Sequence, residues 1–273
     1  MGSSAQRTTE LRDVAVPDHV ELSRGGADVW SPSVTPPIGV DLSDEQKLAC
    51  AFRILCREGF SENIAGHITW TDRDDGTMLV NPWGLWWNEV AASDVCRVDG
   101  DGRVLEGKWD VTPAVRIHTE LHRRRADARV VVHNHPYSVV LLAAMGLVPE
   151  FLHQQASMFD GELGFVSEYA GEIDTAELGA DLAENIGDAS VVILANHGAI
   201  VTAPTIEEAT YKAANLERQC RLMVDVVTAG RPATTIPAAL RPAMKASLLE
   251  RGTDVYWAGA VRQLLRDEPD VLD

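Results

Sequence analysis

Basic residues are scarce in this chain. Across 273 residues, 24 Lys and Arg stand against 41 Asp and Glu, a formal net charge of −17. That excess argues against a nucleic-acid partner, whose phosphates demand a basic face, and against docking on anionic membranes. A small anionic substrate stays compatible, because a bound metal supplies local positive charge. Cysteine is also sparse: Cys50, Cys56, Cys96 and Cys220 show no C-x-x-C spacing. They read as buried or free thiols in a reducing cytoplasm. No apolar run approaches membrane-spanning length, and no basic segment leading into an apolar run opens the chain, so a soluble cytoplasmic protein is expected. There is no internal repeat and no low-complexity tract. The length suits one sizeable core with extended ends better than two domains.

What the chain does have is a histidine-bearing strand end. Val130, Val131 and Val132 make a short buried strand, His133 and His135 leave its C-terminal end, and Pro136 stops the ladder. Side chains at i and i+2 of a strand share a face, so the two imidazoles can converge. Neutral imidazole is a common ligand for zinc, iron and related metals. A second apolar run, Val191 to Ala195, delivers His197 at the turn Asn196-His197-Gly198. The pattern predicts adjacent strands in one sheet, each followed by a helix. Three histidines with an open position are the usual count for a catalytic divalent site. His133, His135 and His197 are therefore the expected ligands of one metal per subunit, with zinc, iron and manganese left open.

Three regions are expected: an extended arm over residues 1–40, a metal-binding domain over 41–230 and a helical extension over 231–273. Residues 1–40 are rich in Ser, Arg, Pro and Gly and carry little structural signal. Ser43 with Gln46 forms a capping box for a helix ending near Gly59. A turn from Ser61 to Gly66 leads into the strand that begins at His67. Asp74-Asp75-Gly76 predicts a hairpin onto Met78–Val80, and Asp99 to Gly102 predicts another. Between them, Trp83, Trp86 and Trp87 crowd a loop with Gly84. Two readings stand for these tryptophans: a packed corner or subunit contact, or an aromatic wall for substrate. Thr112-Pro113 caps a helix carrying His118 and His122, which read as structural. The stretch from Phe151 to Ala170 reads as loop-rich and carries His153, Gln154, Gln155, Asp160 and Tyr169. Thr205 with Glu208 opens what reads as the longest helix, and Trp257 anchors a last one.

In this order the elements resemble the class II aldolase/adducin family. The capped helix, the Gly-His turn, the P-x-G loop, the H-x-H-P strand end and the later N-H-G strand end carry the resemblance from about Leu42 to about Val227. It implies a three-layer α/β/α fold with a central, mostly antiparallel sheet. It also implies homotetramers with active sites near subunit boundaries and a metal held at His133, His135 and His197.

The departures narrow the chemistry. Aldolases of the family place an acid/base glutamate where this chain has Ala114. Their phosphate cradle of small polar residues reads here as His67, Trp83-Gly84 and Thr112-Pro113. Without those donors a phosphate would be undercompensated by several kcal/mol. The expected substrate is a non-phosphorylated, aromatic keto or hydroxy acid, cleaved at a C–C bond by decarboxylation or an aldol-type step. His67, Glu62, Tyr137, His153 and Asp160 are candidates to replace the missing acid/base group. Trp83, Gly84, Trp86, Trp87 and Gln154 are candidate substrate contacts. Two alternatives stand beside this reading. One is a non-heme iron oxygenase acting on an aromatic α-keto acid, similar to oxygenases of prenylated hydroxyphenylpyruvates. The other is a non-catalytic binding module similar to adducin.

Overall fold

The structure, a computed structural model, describes residues 35–61, 64–71, 75–169, 171, 173 and 175–273. Ser43 starts the first helix, α1 (Asp44–Arg57), through the expected capping box: its hydroxyl accepts from the Gln46 N–H at 3.2 Å, and the Gln46 side chain accepts the Ser43 N–H at 3.0 Å. Among the described residues eight strands follow: β1 (His67–Thr71), β2 (Met78–Val80), β3 (Cys96–Val98), β4 (Val104–Glu106), β5 (Val130–Asn134), β6 (Leu163–Val166), β7 (Val191–Leu194) and β8 (Ala199–Ala203). They form one sheet in the order β4-β3-β2-β1-β5-β8-β7-β6. Every pairing is antiparallel except β6 with β7.

Five more helices cover the sheet: α2 (Arg116–Arg124), α3 (Tyr137–Met145), α4 (Ala176–Ile186), α5 (Ile206–Ala229) and α6 (Arg241–Asp267). Strand alternation divides the core between its two faces. Val130, Val132, Val191 and Ile193 pack with residues of α1, α3, α5 and α6. Val131, Val192, Leu194 and Ile200 point the other way, against Ile117 and Leu121 of α2 and Leu182, Ala183 and Ile186 of α4. Both faces are therefore covered, which makes three layers.

Several expectations are corrected. The two histidine-bearing strands, β5 and β7, are not neighbours, because β8 lies between them. After His197 the chain folds straight back as β8, so no helix follows that turn. Within the loop-rich segment that begins at Phe151 lie a 3-10 turn (Gln154–Phe159) and the edge strand β6, neither of them expected. The longest helix is α6 with 27 residues, not α5 with 24. Trp257 of α6 is buried at 3% exposure against the main core. At Thr205 only half a capping box forms: its hydroxyl accepts from the Glu208 N–H, while the Glu208 carboxylate pairs with Lys212 at 2.8 Å. The hairpin residue Asp74 and the arm up to residue 34 lie outside the described residues.

Candidate metal centre

Two turns bring three imidazoles together. His133 is the penultimate residue of β5, and His135 follows just beyond the strand end. His197 sits in the β7–β8 turn, where its N–H donates to the Leu194 carbonyl at 3.1 Å. That turn needs an unusual backbone. Asn196 has φ 54°, the one positive φ outside glycine among the described residues, and asparagine tolerates this left-handed region better than most residues. Gly198 is demanded by contact: a Cβ there would lie 2.5 Å from the Asn134 carbonyl oxygen and 2.6 Å from Cδ2 of His135. Absence of a side chain at 198 thus lets the two histidine turns approach each other.

The ligand nitrogens of His133, His135 and His197 all lie within 4.8 Å of one another. Nδ1 of His133 is 3.0 Å from the Ala199 carbonyl. A carbonyl only accepts, so Nδ1 carries the proton and Nε2 is left as a bare lone pair. That lone pair is 3.2 Å from Nε2 of His135. Burial holds His133 far below the usual histidine range, with the His67, His197 and His135 rings adding to the effect. Burial, then the neighbouring His135, lowers His197 to about 4. His133 and His197 are therefore neutral at neutral pH, and convergent lone pairs repel unless a cation joins them. The donor set fits a divalent transition metal, with a backbone carbonyl fixing one ligand's tautomer.

His67 stands beside this cluster. It pairs directly with His133 in the β1–β5 register, and the two ring centroids are 5.0 Å apart. It is 1% exposed, and burial first, then the His135 and His197 rings, lower it to about 3. Just before it, Gly66 lets Asn134 and Trp87 close in: a Cβ there would fall 1.9 Å from Nδ2 of Asn134 and 2.7 Å from the Trp87 ring. On the other side Nδ1 of His67 lies 2.7 Å from Nε2 of His118.

Residues 46–224 match the family model described as Class II Aldolase and Adducin N-terminal domain. The chain belongs to the class II aldolase/adducin family. A 3,4-dihydroxyphthalate decarboxylase from Arthrobacter keyseri is 30% identical over 204 residues, covering 70% of this chain and 82% of that protein. Decarboxylase NovR from Streptomyces niveus is 29% identical over 194 residues, covering 70% and 72%. Adducin-related protein 1 from Caenorhabditis elegans is 31% identical over 224 residues; the match takes 77% of this chain but only 30% of that longer protein. Among solved structures, an aldolase II superfamily protein from Pseudomonas syringae superposes with a TM-score of 0.75 at 26% identity, covering 88% of this chain and 98% of that one.

Within this family frame the other predicted residues fall in different places. Trp87 is a core residue and no substrate wall: it is 1% exposed, packs edge-on to Phe52 at 5.0 Å, and donates its indole N–H to the Gly66 carbonyl at 3.0 Å. Trp83 and Trp86 are half exposed, and Gly84 holds φ 97° beside them. None of the three is among the residues lining the cavity beside His197. Tyr137 begins α3 with 75% exposure. His153 caps the 3-10 turn, its Nδ1 accepting from the Gln155 N–H at 3.3 Å, and it is exposed together with Gln154. The Asp160 carbonyl accepts from Lys245 at 2.8 Å, which ties it to α6. Glu62 lies outside the described residues.

Ala114 sits in the 3-10 turn before α2 (Pro113–Val115). The first carboxylate after it, Glu120, is buried in an ion pair with Arg123 at 2.7 Å. A cavity of about 400 Å³ opens at His197, with Tyr169, Val166, Leu194 and Leu182 among its walls. The Tyr169 ring stands edge-on to His197 at 6.2 Å. Sequence reasoning passed over this tyrosine because nothing in its local pattern distinguishes it from a loop residue.

Proposed function

We propose that this protein is a metal-dependent decarboxylase of a small, non-phosphorylated, hydroxylated aromatic acid. The observation that carries the reading is the make-up of the centre. Three imidazoles converge, a fourth histidine abuts them, and no carboxylate joins the group among the described residues. A divalent metal there supplies a Lewis acid that draws electron density from neighbouring carboxylate and hydroxyl oxygens. The chain's own residues do the rest. His133, His135 and His197 hold the cation, Tyr169 and the apolar walls beside His197 take the ring, and His67 handles the proton. Decarboxylation suits this inventory because it asks for one proton on carbon as carbon dioxide leaves. Aldol cleavage asks for a strong acid/base at the position that Ala114 occupies. Two decarboxylases among the relatives support the same choice.

His133, His135 and His197 are assigned here as ligands, and His67 as the acid/base group in place of the missing glutamate. The protein is taken to work as a homotetramer, as the family resemblance implies. The test is carbon dioxide release from a panel of ortho-hydroxylated aromatic acids, 3,4-dihydroxyphthalate included, by protein loaded in turn with zinc, manganese and iron(II). Release with at least one metal, without dioxygen uptake, is expected. Release only with matching dioxygen uptake would turn the reading into an oxygenase. Turnover of a sugar phosphate at ~1 per second or faster would overturn it.

A further inference from the structure

Behind His67 a line of side chains crosses the space between the sheet and α2. His67 and Thr69 are two residues apart on β1 and so share the face that carries His133. His118 and His122 are four apart on α2 and share the helix face turned toward them. The contacts are continuous. Nδ1 of His67 is 2.7 Å from Nε2 of His118, and Nδ1 of His118 is 2.7 Å from Oγ1 of Thr69. The same hydroxyl is 2.6 Å from Nε2 of His122, and Nδ1 of His122 is 2.6 Å from the Ala128 carbonyl. His67, His118 and Thr69 are each at most 1% exposed. His122 is half-buried and lines a surface groove of about 290 Å³ together with Thr119 and Arg123.

Hydrogen-bond roles along this line are fixed from one end. The Ala128 carbonyl only accepts, so Nδ1 of His122 always carries a proton. With His122 neutral, its Nε2 accepts from Thr69, Thr69 accepts from Nδ1 of His118, and Nε2 of His118 accepts from Nδ1 of His67. Nε2 of His67 is then bare, a base. Adding one proton to His122 reverses every bond. His122 donates to Thr69, Thr69 donates to Nδ1 of His118, and Nε2 of His118 donates to Nδ1 of His67. His67 must then carry its proton on Nε2, an acid. The two states differ by one proton in total. A proton taken up at Nε2 of His67 therefore appears on His122, three hydrogen bonds away, and the reverse passage returns it.

We propose that Thr69, His118 and His122 form a proton relay that sets which nitrogen of His67 is protonated and carries protons between the histidine centre and the surface groove beside His122. The relay answers a need of the centre. His67 is buried, and the line through His118 and Thr69 gives a proton on it a path to the half-buried His122. Passing that proton to His122 puts the positive charge at the edge of solvent. A hydroxylated acid that loses a hydroxyl proton as it binds hands it to His67, and the chain stores it. After carbon dioxide leaves, the same chain returns the proton to the ring carbon. Use of the relay in turnover rests on the decarboxylase reading above, whereas the relay as a hydrogen-bonded path does not.

Thr69→Val cuts the line at its middle with little change of shape, and Thr69→Ser restores the hydroxyl. The first measurement needs no substrate: NMR of the histidine ring nitrogens, and exchange of their protons with water. In the wild type, His67 and His118 are expected to carry protons on the same-named nitrogen. Their ring protons should exchange at least about tenfold faster in the wild type and Thr69→Ser than in Thr69→Val. A proton on Nε2 of His67 together with one on Nδ1 of His118 would break the chain and overturn the proposal, as would unchanged exchange in Thr69→Val. The second measurement uses whichever aromatic acid the wild type decarboxylates. Thr69→Val should lose about tenfold or more in kcat at unchanged KM and metal content, with Thr69→Ser restoring most of it. Wild-type kcat in a metal-replete Thr69→Val protein would overturn the relay while leaving the decarboxylase reading intact. If the wild type releases no carbon dioxide from any acid, that reading falls and the NMR result alone decides the relay.

Discussion

His67 and His133 face each other across the β1–β5 ladder, with ring centroids 5.0 Å apart. One is assigned as a metal ligand and the other as the group that moves protons, so their substitutions should separate cleanly. His133→Ala is expected to lose the metal. His67→Phe is expected to keep it while losing about a hundredfold or more in kcat, the scale of a positioned acid/base group. Metal content and steady-state kinetics on the two variants check this. Equal metal loss in both would make His67 a ligand instead.

The turn that presents His197 depends on backbone that few residues accept. Asn196 holds φ 54°, and a residue such as alanine pays roughly 1 kcal/mol or more to adopt it. Asn196→Ala should lower the melting temperature and weaken metal binding, while Asn196→Gly should leave both near wild type. Gly198→Ala should be worse, because its Cβ would meet Asn134 backbone at 2.5 Å and the His135 ring at 2.6 Å. Overpacking of this kind costs about 1–3 kcal/mol. Thermal melts with and without added zinc measure both effects.

Glu162 predicts the response to acid. Its carboxylate holds Lys212 of α5 at 2.8 Å and Lys245 of α6 at 2.6 Å, and it also accepts from Ser190. Burial works against its charged form, but the hydrogen bonds from Lys212, Lys245 and Ser190 together outweigh it and hold the carboxyl below the usual range. A carboxyl lowered in the folded state contributes stability above its unfolded pKa, and that stability is lost as pH falls through the folded value. Glu162→Gln should therefore destabilise by roughly 1–3 kcal/mol at neutral pH. The gap between wild type and variant should narrow as pH drops below the ordinary carboxylate range. A gap independent of pH in urea titrations would contradict the assignment.

The tryptophans of one loop should behave oppositely. Trp87→Ala removes a core side chain and should cost about 3–5 kcal/mol. Trp83 and Trp86 are 52% and 46% exposed, so their replacement should leave the intrinsic stability of a single subunit within about 0.5 kcal/mol. Aromatic residues left on a surface are typical of subunit contacts. Trp86→Arg should therefore shift the assembly state seen by light scattering from tetramer toward smaller species. A wild type that is already monomeric at micromolar concentration would contradict the homotetramer.

Much of this was legible in the sequence where the signal was local. The β-branched runs ending in His133 and His197, the Ser43 capping box and the Thr112-Pro113 helix start are each set by a few adjacent residues. The family resemblance gave the layers. What stayed hidden depends on partners far along the chain. Ala199 to Ala203 is a short apolar run broken by Thr202, and nothing local says that it inserts between β7 and β5. Leu163–Val166 is short and contains Gly164, so its parallel pairing with β7 could not be read from alternation. Trp87 went to the core because Phe52 and Phe60, on and beside α1, wait for it there. His118 and His122 showed their helical spacing, but only the β1 register reveals that they meet Thr69 and His67.

The most direct measurement is metal stoichiometry of the purified wild type and of His197→Ala, after equilibration with zinc and removal of free metal. The account requires one metal per subunit in the wild type and a loss of most of it in His197→Ala, with the fold retained by circular dichroism. Full occupancy in the variant, or no bound metal in a folded wild type, would contradict the three-histidine centre on which the rest depends.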